Sequence, residues 1–394
     1  MNILAFTSIF SACLFVCSYL IRLGNYFPFA ELITFSFFSF FIFSNILLLY
    51  VRRAHFKVVP NIADLLVFIL FVSAVPSLVY AGPTNAGILY FGQLTVYGIL
   101  PYLILRLVPR ESSEFRFFFV SAALILLLSV FLLAFVLGVT ESFARFRLGG
   151  EIINPVGVGA IYLILSLFLF GAAYYANTRF VSFCYTILFL VSLSMLVLSG
   201  SRSSILAMLL MAFIGFFIKS KTSFLKLFLV LVTAIFLVTI ADFSLIDEAY
   251  FIRYTDLFSA DAFDSGSVGA RVELFSLSKG LIADNPTFGL GLYGFQLVTN
   301  GDYPHNLIVE VLISFGVPFG LLIILLIALS VATPYKYFGT RKNDPRLVLF
   351  FVLIAILIVK MFSFNLAQMK DFFVFLGFLI SFTSDKNKFQ LRPV

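Results

Sequence analysis

The sequence predicts an all-α integral membrane protein with about twelve transmembrane helices, forming one domain over residues 1–394. Hydrophobic residues make up 62% of the chain and charged residues only 11%, against roughly 45–50% and 25% in a typical soluble domain. The mean hydropathy is +1.10. A water-soluble fold of this composition would expose large apolar patches. We therefore expect a bilayer to surround most of the chain.

Apolar runs of the length needed to cross a hydrocarbon core, about twenty residues each, recur along the chain. They cover residues 3–21, 29–50, 62–80, 87–105, 117–138, 156–175, 181–198, 204–218, 224–240, 306–331, 347–366 and 371–383. One connection, residues 242–305 between the ninth and tenth runs, is far longer than the others. A loop of this length is expected to hold short helices and to carry a function.

The basic residues predict the orientation of the helices. About two-thirds of them fall in loops on one side: Arg52, Arg53, Lys57, Arg106, Arg110, Arg116, Arg179, Lys219, Lys221, Lys226, Lys336, Arg341, Lys342, Arg346, Lys386, Lys388 and Arg392. The positive-inside rule makes this side cytoplasmic, with both termini, and puts the 242–305 loop outside. The net charge of +7 is then a topology signal, since the basic residues form no helix face typical of nucleic-acid binding.

The first candidate site on the outer side is LSGSRSSIL, residues 198–206. An apolar helix stops at Gly200 and another restarts almost at once, with Arg202 at its beginning beside Ser201. A guanidinium, hydroxyls and free backbone N–H groups at a helix start favour an anion site. A capped hairpin whose arginine reaches the lipid headgroups explains the pattern equally well.

The second candidate is ARFRLGGEIINPVGVGA, residues 144–160. Arg145 and Arg147 precede Gly149 and Gly150. Glycines permit close backbone approach, and arginines bind phosphate oxygens in a bidentate fork. An ordinary interfacial loop is the alternative.

The third candidate is GARVELFSLSKGLIADNPTFGLGLYGF, residues 269–295, with Arg271, Glu273 and Lys279. Residues 271–283 predict an amphipathic helix, whose apolar side would hold Val272, Leu274, Phe275, Leu277, Ser278 and Leu281. Gly289, Gly291 and Gly294 satisfy GxGxxG, but no strand–turn–helix unit surrounds them. We therefore expect a glycine turn packed at the membrane surface and no dinucleotide site.

The fourth candidate is DYPHNLIVEVLISFGVPFG, residues 302–320, where the long loop ends and a helix begins. His305 stands beside Asn306, with Asp302 before it and Glu310 about one and a half turns into the helix. A neutral imidazole is suited to general base catalysis near pH 7, with Glu310 or Asp302 orienting it. A histidine that only caps the helix is the alternative.

Polar residues inside predicted spans form a second rank of candidates. Lys360 and Asn365 interrupt the eleventh run, and Asp64 lies near the inner boundary of the third. Ionisable groups inside a membrane are expensive and are functional candidates by default.

Together, SGSRSS, ARVELFSLSKGLIADNPTFGLGLYGF and YPHNLIVEVLISFGVPFG resemble the O-antigen polymerases and O-antigen ligases of bacterial surface polysaccharide synthesis. The resemblance implies a glycosyltransferase of the C-type class that uses an undecaprenyl-diphosphate-linked oligosaccharide, with no metal ion and no cofactor. It implies that His305, Arg202 and Arg271 are catalytic, with Arg202 and Arg271 on the diphosphate and His305 near the acceptor. Residues expected to bind substrate are Arg145, Arg147, Ser201, Lys279, Asp302, Asn306 and Glu310.

The same resemblance implies a bacterial inner membrane location, a periplasmic active site, membrane lipid contacts and a chain-length regulator protein as a partner. The polymerase is favoured over the ligase because resembled ligases usually have a second histidine where this chain has Tyr303 and Pro304, and because the outer loop is compact. A flippase or other transporter of about twelve helices is a third possibility. It is disfavoured because the sequence shows no matched pair of broken helices in two halves.

Overall fold

The computed structural model describes residues 2–21, 29–52, 60–80, 84–139, 154–218, 266–338, 344–363 and 365–383, and within them every regular element is helical. The α-helices are α1 Asn2–Val16, α2 Ser18–Ile21, α3 Ala30–Arg52, α4 Ile62–Tyr80, α5 Asn85–Gln93, α6 Leu100–Leu107, α7 Arg116–Val139, α8 Pro155–Tyr174, α9 Arg179–Leu198, α10 Arg202–Ile218, α11 Gly266–Asp284, α12 Gly294–Val298, α13 Leu307–Phe338, α14 Leu347–Phe362 and α15 Lys370–Thr383. A π-helical segment, Leu94–Ile99, joins α5 to α6, and short 3₁₀ turns cover Ser112–Phe115 and Leu366–Gln368.

Six of the described helical stretches are long and apolar enough to cross a membrane. They are Ala30–Arg52, Asn85–Leu107, Ser112–Leu133, Pro155–Tyr174, Arg179–Leu198 and Leu307–Tyr335. Shorter apolar helices occupy Asn2–Val16, Ile62–Leu78, Arg202–Gly215 and Leu347–Phe362. The helical membrane character predicted from the sequence is confirmed. The total of twelve spans stays a prediction, and the run at 224–240 lies outside the described residues.

Side-chain caps fix where several helices begin. Thr84 accepts from the Gly87 N–H at 3.0 Å, and Thr178 accepts from the Val181 N–H at 3.2 Å. Asn154 accepts from the Val156 N–H at 2.9 Å, just before Pro155 at the first helical position. These caps satisfy N–H groups that a helix start leaves without intrahelical partners.

The largest fully buried side chains of the core are aromatic, and several of them lie on α7, α8 and α15. Phe118 of α7 stacks on Phe168 of α8 with ring centroids 5.2 Å apart, and its edge meets Phe378 of α15 at 4.8 Å. Almost every residue of α15 is buried. In a bilayer such close packing is what holds helices together, because lipid is as apolar as their side chains.

Arginines that the sequence assigns to loops at the predicted cytoplasmic side are buried between helices. The ion pairs are Arg52 with Glu114, Arg106 with Asp64 at 3.0 Å, and Arg346 with Asp344 at 2.6 Å. Arg110 packs among them, and donates to Ser8 at 2.6 Å and to Asn45 at 2.8 Å. The expectation of simple loop charges is therefore incomplete, because a desolvated charge needs a partner and these arginines also tie helices together.

The polar residues predicted inside spans also have structural partners. Lys360 forms an ion pair with Asp371 at 3.2 Å and donates to the Gln368 carbonyl at 2.8 Å. Asn365 accepts from the Gln368 N–H at 3.1 Å and so caps the 3₁₀ turn. These contacts fix the connection between α14 and α15.

Helix α13, which the sequence presents as one continuous span, is broken at Gly316, where φ is 74° and ψ is 173°. Pro318 has no N–H, so the carbonyl of Ser314 cannot be satisfied within the helix. The turn formed by residues 286–291, here called the break turn, supplies the missing bonds. They run from Leu290 N–H to Ile313 O at 2.7 Å, from Gly291 N–H to Ser314 O at 3.1 Å, and from Val317 N–H to Pro286 O at 2.7 Å.

Glycine is required on both sides of this junction. A Cβ on Gly289 would lie 2.3 Å from the Ile313 oxygen, and one on Gly316 would lie 2.3 Å from the Thr287 oxygen. Both glycines have a positive φ that other residues rarely adopt. The glycines of the GxGxxG pattern thus serve a packed turn, as expected from the sequence.

Replacing Gly316 by Ala should lower the midpoint of thermal unfolding, because the methyl group meets backbone atoms and the backbone is strained by roughly 1–3 kcal/mol. Gly280→Ala is the matched control, since nothing lies within 4 Å of a Cβ built there. In that helix interior, alanine should stabilise the protein by about 0.5–1 kcal/mol. Unfolding of the purified protein in detergent measures both, and equal midpoints for the two variants would contradict the proposed junction.

Asp371→Asn should destabilise the protein by about 3–5 kcal/mol, because it leaves the Lys360 ammonium buried without its counter-charge. Adding Lys360→Met in the same chain should recover much of that loss. A double-mutant cycle on the free energy of unfolding measures the coupling. Additive single effects would show that the pair contributes nothing.

Candidate functional site

The described parts of the four segments singled out in the sequence lie at one end of the helix bundle, here called the site end, which holds Arg202 and His305. A chain of contacts links them: Asn306 Nδ2 to Met361 O at 3.1 Å, Lys360 to Asp371 at 3.2 Å, Lys370 Nζ to Ser18 Oγ at 2.9 Å, Asn154 N–H to Tyr19 Oη at 2.6 Å, and Gly159 against Ser201. The helices α2, α8, α10, α13 and α15 therefore all reach this end. Arg145 and Arg147 lie outside the described residues.

Arg202 is the first residue of α10, as the sequence predicts. The chain turns at Gly200, where φ is 67°, and α10 starts two residues later. Arg202 is partly exposed, while Ser201 is buried and shares a hydroxyl hydrogen bond with Ser204 at 2.8 Å. The serines thus hold the turn, and the guanidinium is the group presented at a helix N-terminus, where the dipole also favours anions.

Close packing against α8 fixes this turn. A Cβ on Gly159 would lie only 2.3 Å from the Cβ of Ser201. Gly157 likewise packs its backbone onto the ring of Tyr19. The small residues of GVGA in the second candidate segment therefore bring α8 against the start of α10.

His305 lies within electrostatic reach of Arg271 although the two residues are far apart in the sequence. Burial of the imidazole is the largest cause that lowers the pKa of His305, and the positive charge of Arg271, an exposed residue of α11, lowers it further. Asp302 opposes both by favouring the imidazolium. The pKa of His305 consequently lies below its ordinary 6.5, so the imidazole is neutral at pH 7.

His305 is held in an uncommon backbone conformation. Its φ is 53°, in the left-handed region, and its ring packs on Tyr303 with centroids 4.0 Å apart. Its Nδ1 is buried and has no hydrogen-bond partner among the described residues. A strained, neutral imidazole with an unused nitrogen is typical of a functional residue rather than of a capping residue.

The helix cap is provided by Asn306. Its Oδ1 accepts from the Val309 N–H and its Nδ2 donates to the Met361 carbonyl, both at 3.1 Å. Both ends of the amide are thus occupied, and Asn306 fixes α13 against α14. Its expected contact with substrate would require one of these bonds to open.

Glu310 does not orient the imidazole, contrary to one of the two options the sequence left open. One carboxylate oxygen accepts from the Tyr90 hydroxyl and the other accepts from the Leu366 N–H at 2.9 Å. The Ala367 N–H in turn donates to the Tyr90 oxygen at 3.3 Å. Tyr90 was missed by the sequence analysis because a lone tyrosine in an apolar run carries no pattern that predicts its partner.

The remaining candidates lie on the surface of the site end. Lys279 is exposed, and its ammonium lies over the ring of Phe275 at 4.8 Å from the centroid. Asp302 is exposed and influences the pKa of His305. Within the described ranges, no group of three or more His, Cys, Asp or Glu side chains is arranged to hold a metal ion.

A comparison with protein families gives one match: residues 187–325 fit the family described as O-antigen ligase. This segment of the chain is similar to the O-antigen ligase family. The matched segment holds Arg202, Arg271 and His305, and it spans about a third of the chain. The resemblance to the O-antigen polymerases and ligases is thereby confirmed. A search of curated proteins finds no match.

The family supports a membrane glycosyltransferase-like enzyme, an O-antigen polymerase or ligase in general, and it does not separate the two. Lipid-linked glycans are the substrates that it implies. Of the four candidate segments, the one with Arg145 and Arg147 lies outside the matched residues.

The pKa of His305 should rise toward 6.5 in Arg271→Gln, because one of the two causes that lower it is removed. The neutral imidazole is present above this pKa and is lost as the pH falls through it. The chain has only two histidines, so NMR titration in a His55→Gln background follows one imidazole. Lys279→Gln is the control and should leave the pKa of His305 unchanged. If Arg271→Gln also leaves it unchanged, Arg271 does not act on His305 and the proposed site is contradicted.

Proposed function

We propose that this protein is an O-antigen polymerase that joins undecaprenyl-diphosphate-linked oligosaccharide repeat units at the periplasmic face of the bacterial inner membrane. The observation that carries the proposal is a partly buried His305 that lies within electrostatic reach of Arg271, at the end of the bundle that also holds Arg202. A base beside cations is what transfer from a diphosphate leaving group requires.

In the proposed reaction, a sugar hydroxyl of the acceptor attacks the anomeric carbon of the donor glycan. The hydroxyl proton passes to the neutral imidazole of His305, a glycosidic bond forms, and the bond from the anomeric carbon to the diphosphate oxygen breaks. The two electrons of that bond leave with undecaprenyl diphosphate. Arg202 and Arg271 stabilise the charge that develops on the diphosphate, so the proposal needs no metal ion or cofactor.

The two arginines suit this role because both are accessible at the site end. Arg271 is exposed and Arg202 is partly exposed, whereas Arg52, Arg106 and Arg346 are buried against carboxylates between helices. Accessible guanidinium groups can form bidentate hydrogen bonds to phosphate oxygens. Arg145 and Arg147 would add to this charge if the second segment comes near the donor.

The polymerase is favoured over the ligase by Tyr303 and Pro304, which stand where the resembled ligases usually carry a second histidine. The ring of Tyr303 packs against His305. A second candidate function, transfer of the finished polysaccharide to lipid A core, is favoured by the ligase description of the matching family. The two reactions share the donor and differ in the acceptor.

Gel profiles of surface polysaccharide from a strain that lacks this protein distinguish the two functions. Lipid A core capped by a single repeat identifies a polymerase. Long polymer that accumulates on the carrier lipid, with none on the core, identifies a ligase and would overturn the proposal.

The site is tested by complementing the same strain with His305→Ala, Arg202→Ala or Arg271→Ala. Loss of a general base is expected to slow turnover by roughly 10²–10⁴-fold, so polymer should be absent or strongly reduced. Glu273→Gln, an exposed substitution on the same helix as Arg271, is the matched control and should complement fully. Full complementation by His305→Ala at equal membrane abundance would refute the proposed chemistry.

A further inference from the structure

Helix α11 does not bury the apolar side that its sequence predicts. The face against the protein holds Ser278, Leu274 and Leu281, the two leucines packing on a cluster formed by Phe295, Val309 and Ile313. Val272 is 50% exposed, Phe275 42% and Leu277 41%. The six residues expected on one side are therefore divided between a protein contact and exposed surface.

The exposed surface of α11 separates into two flanks of opposite chemistry. At 100° per residue, Val272, Phe275 and Lys279 fall on one side of the protein-facing stripe, here called the apolar flank. Glu273, Gly280 and Asp284 fall on the other side, here called the acidic flank, with Leu277 at its edge. The ammonium of Lys279 lies over the Phe275 ring at 4.8 Å, so the cation extends along the apolar flank.

The break turn lies level with the ends of two other helices. The Leu292 N–H, next to this turn, donates to Ser77 Oγ at 3.3 Å, three residues before the end of α4. The Leu292 carbonyl also lies beside Gly87, in the first turn of α5. Because α4 ends and α5 starts at this level, the break turn lies near the boundary of the apolar layer. Helix α11 ends directly before the break turn, so it lies near the same boundary.

The length of α13 after its break agrees with this level. The nineteen residues from Val317 to Tyr335 of this candidate span extend about 28 Å at 1.5 Å per residue, close to the roughly 30 Å hydrocarbon core. This part can therefore cross the membrane alone. The break turn, bonded to Ile313, Ser314 and Val317, then sits near one surface of the core.

We propose that the apolar flank of α11 docks on the bilayer, at the headgroup–acyl boundary of the leaflet on the side of Arg202 and His305. The rings and methyl groups of Phe275 and Val272 enter the boundary, about 5–10 Å deep as in other interfacial helices. Lys279 reaches up to the lipid phosphates, whose negative charge complements it. The acidic flank faces water.

This docking has a consequence for the neighbouring site. Arg271 is adjacent to Val272 on α11, and its positive charge disfavours the protonated form of His305. A helix anchored by Val272 and Phe275 therefore holds Arg271 at the depth of lipid phosphate groups. The docking itself is independent of the proposed enzymatic function and can be tested without substrate.

The absence of tryptophan from the chain makes the test direct, because one introduced tryptophan is the only indole. Phe275→Trp places the probe on the apolar flank, and Glu273→Trp is the matched control two residues away on the acidic flank. The full-length protein is reconstituted in phosphatidylglycerol–phosphatidylethanolamine vesicles with and without lipids brominated near the carbonyl end of the acyl chains. Iodide in the buffer is the second quencher.

We expect brominated lipid to quench the Phe275→Trp variant severalfold more strongly than the Glu273→Trp variant, and iodide to quench them in the reverse order. The emission of the Phe275→Trp variant should also be blue-shifted. Equal quenching of the two variants by both agents would overturn the proposal. A blue-shifted apolar-flank probe that neither quencher reaches would also overturn it, because a second copy or a partner protein would then cover the flank. Near-native circular dichroism spectra confirm that both variants are folded.

Discussion

The arrangement of the site depends on the junction between the broken helix α13 and the break turn. Hydrocarbon supplies no hydrogen bonds, so a helix can be broken at membrane depth only where protein satisfies its backbone groups. Here Leu290 and Gly291 donate to the carbonyls of Ile313 and Ser314, and Pro286 accepts from Val317. Because the break turn is the continuation of α11, the same bonds fix Arg271 relative to His305.

Charged residues in this protein fall into two groups that differ in burial. Lys360 and Arg106 are buried with carboxylates of other helices, and Arg346, which pairs with Asp344 beside it, donates to the Phe382 carbonyl of α15. Arg202 and Arg271 remain accessible at the site end. Burial without a partner is costly for any of them, and each of the three buried cations has a carboxylate partner.

The sequence anticipated where several candidate site residues lie relative to the helices, but not their contacts. The turn at Gly200 predicted Arg202 at the start of a helix, and the glycine pattern at 289–294 predicted a packed turn; the structure has both. The sequence left open whether Glu310 or Asp302 serves His305, and Glu310 instead binds Tyr90 and Leu366. Those partners come from segments 220 and 56 positions away along the chain, a separation that helical periodicity does not encode.

The sequence by itself determined the membrane character, the positions of the described spans and the resemblance to the O-antigen ligase family, because apolar length and local motifs are properties of contiguous residues. Only the tertiary structure decided which arginines are held in buried ion pairs, that α13 breaks at Gly316, and which side of α11 is left exposed. Each of these depends on what a distant segment offers at that point: a carboxylate, a pair of backbone N–H groups, or a packing surface. The influence of the Arg271 charge on His305 is of the same kind, since the two residues belong to separately anchored segments.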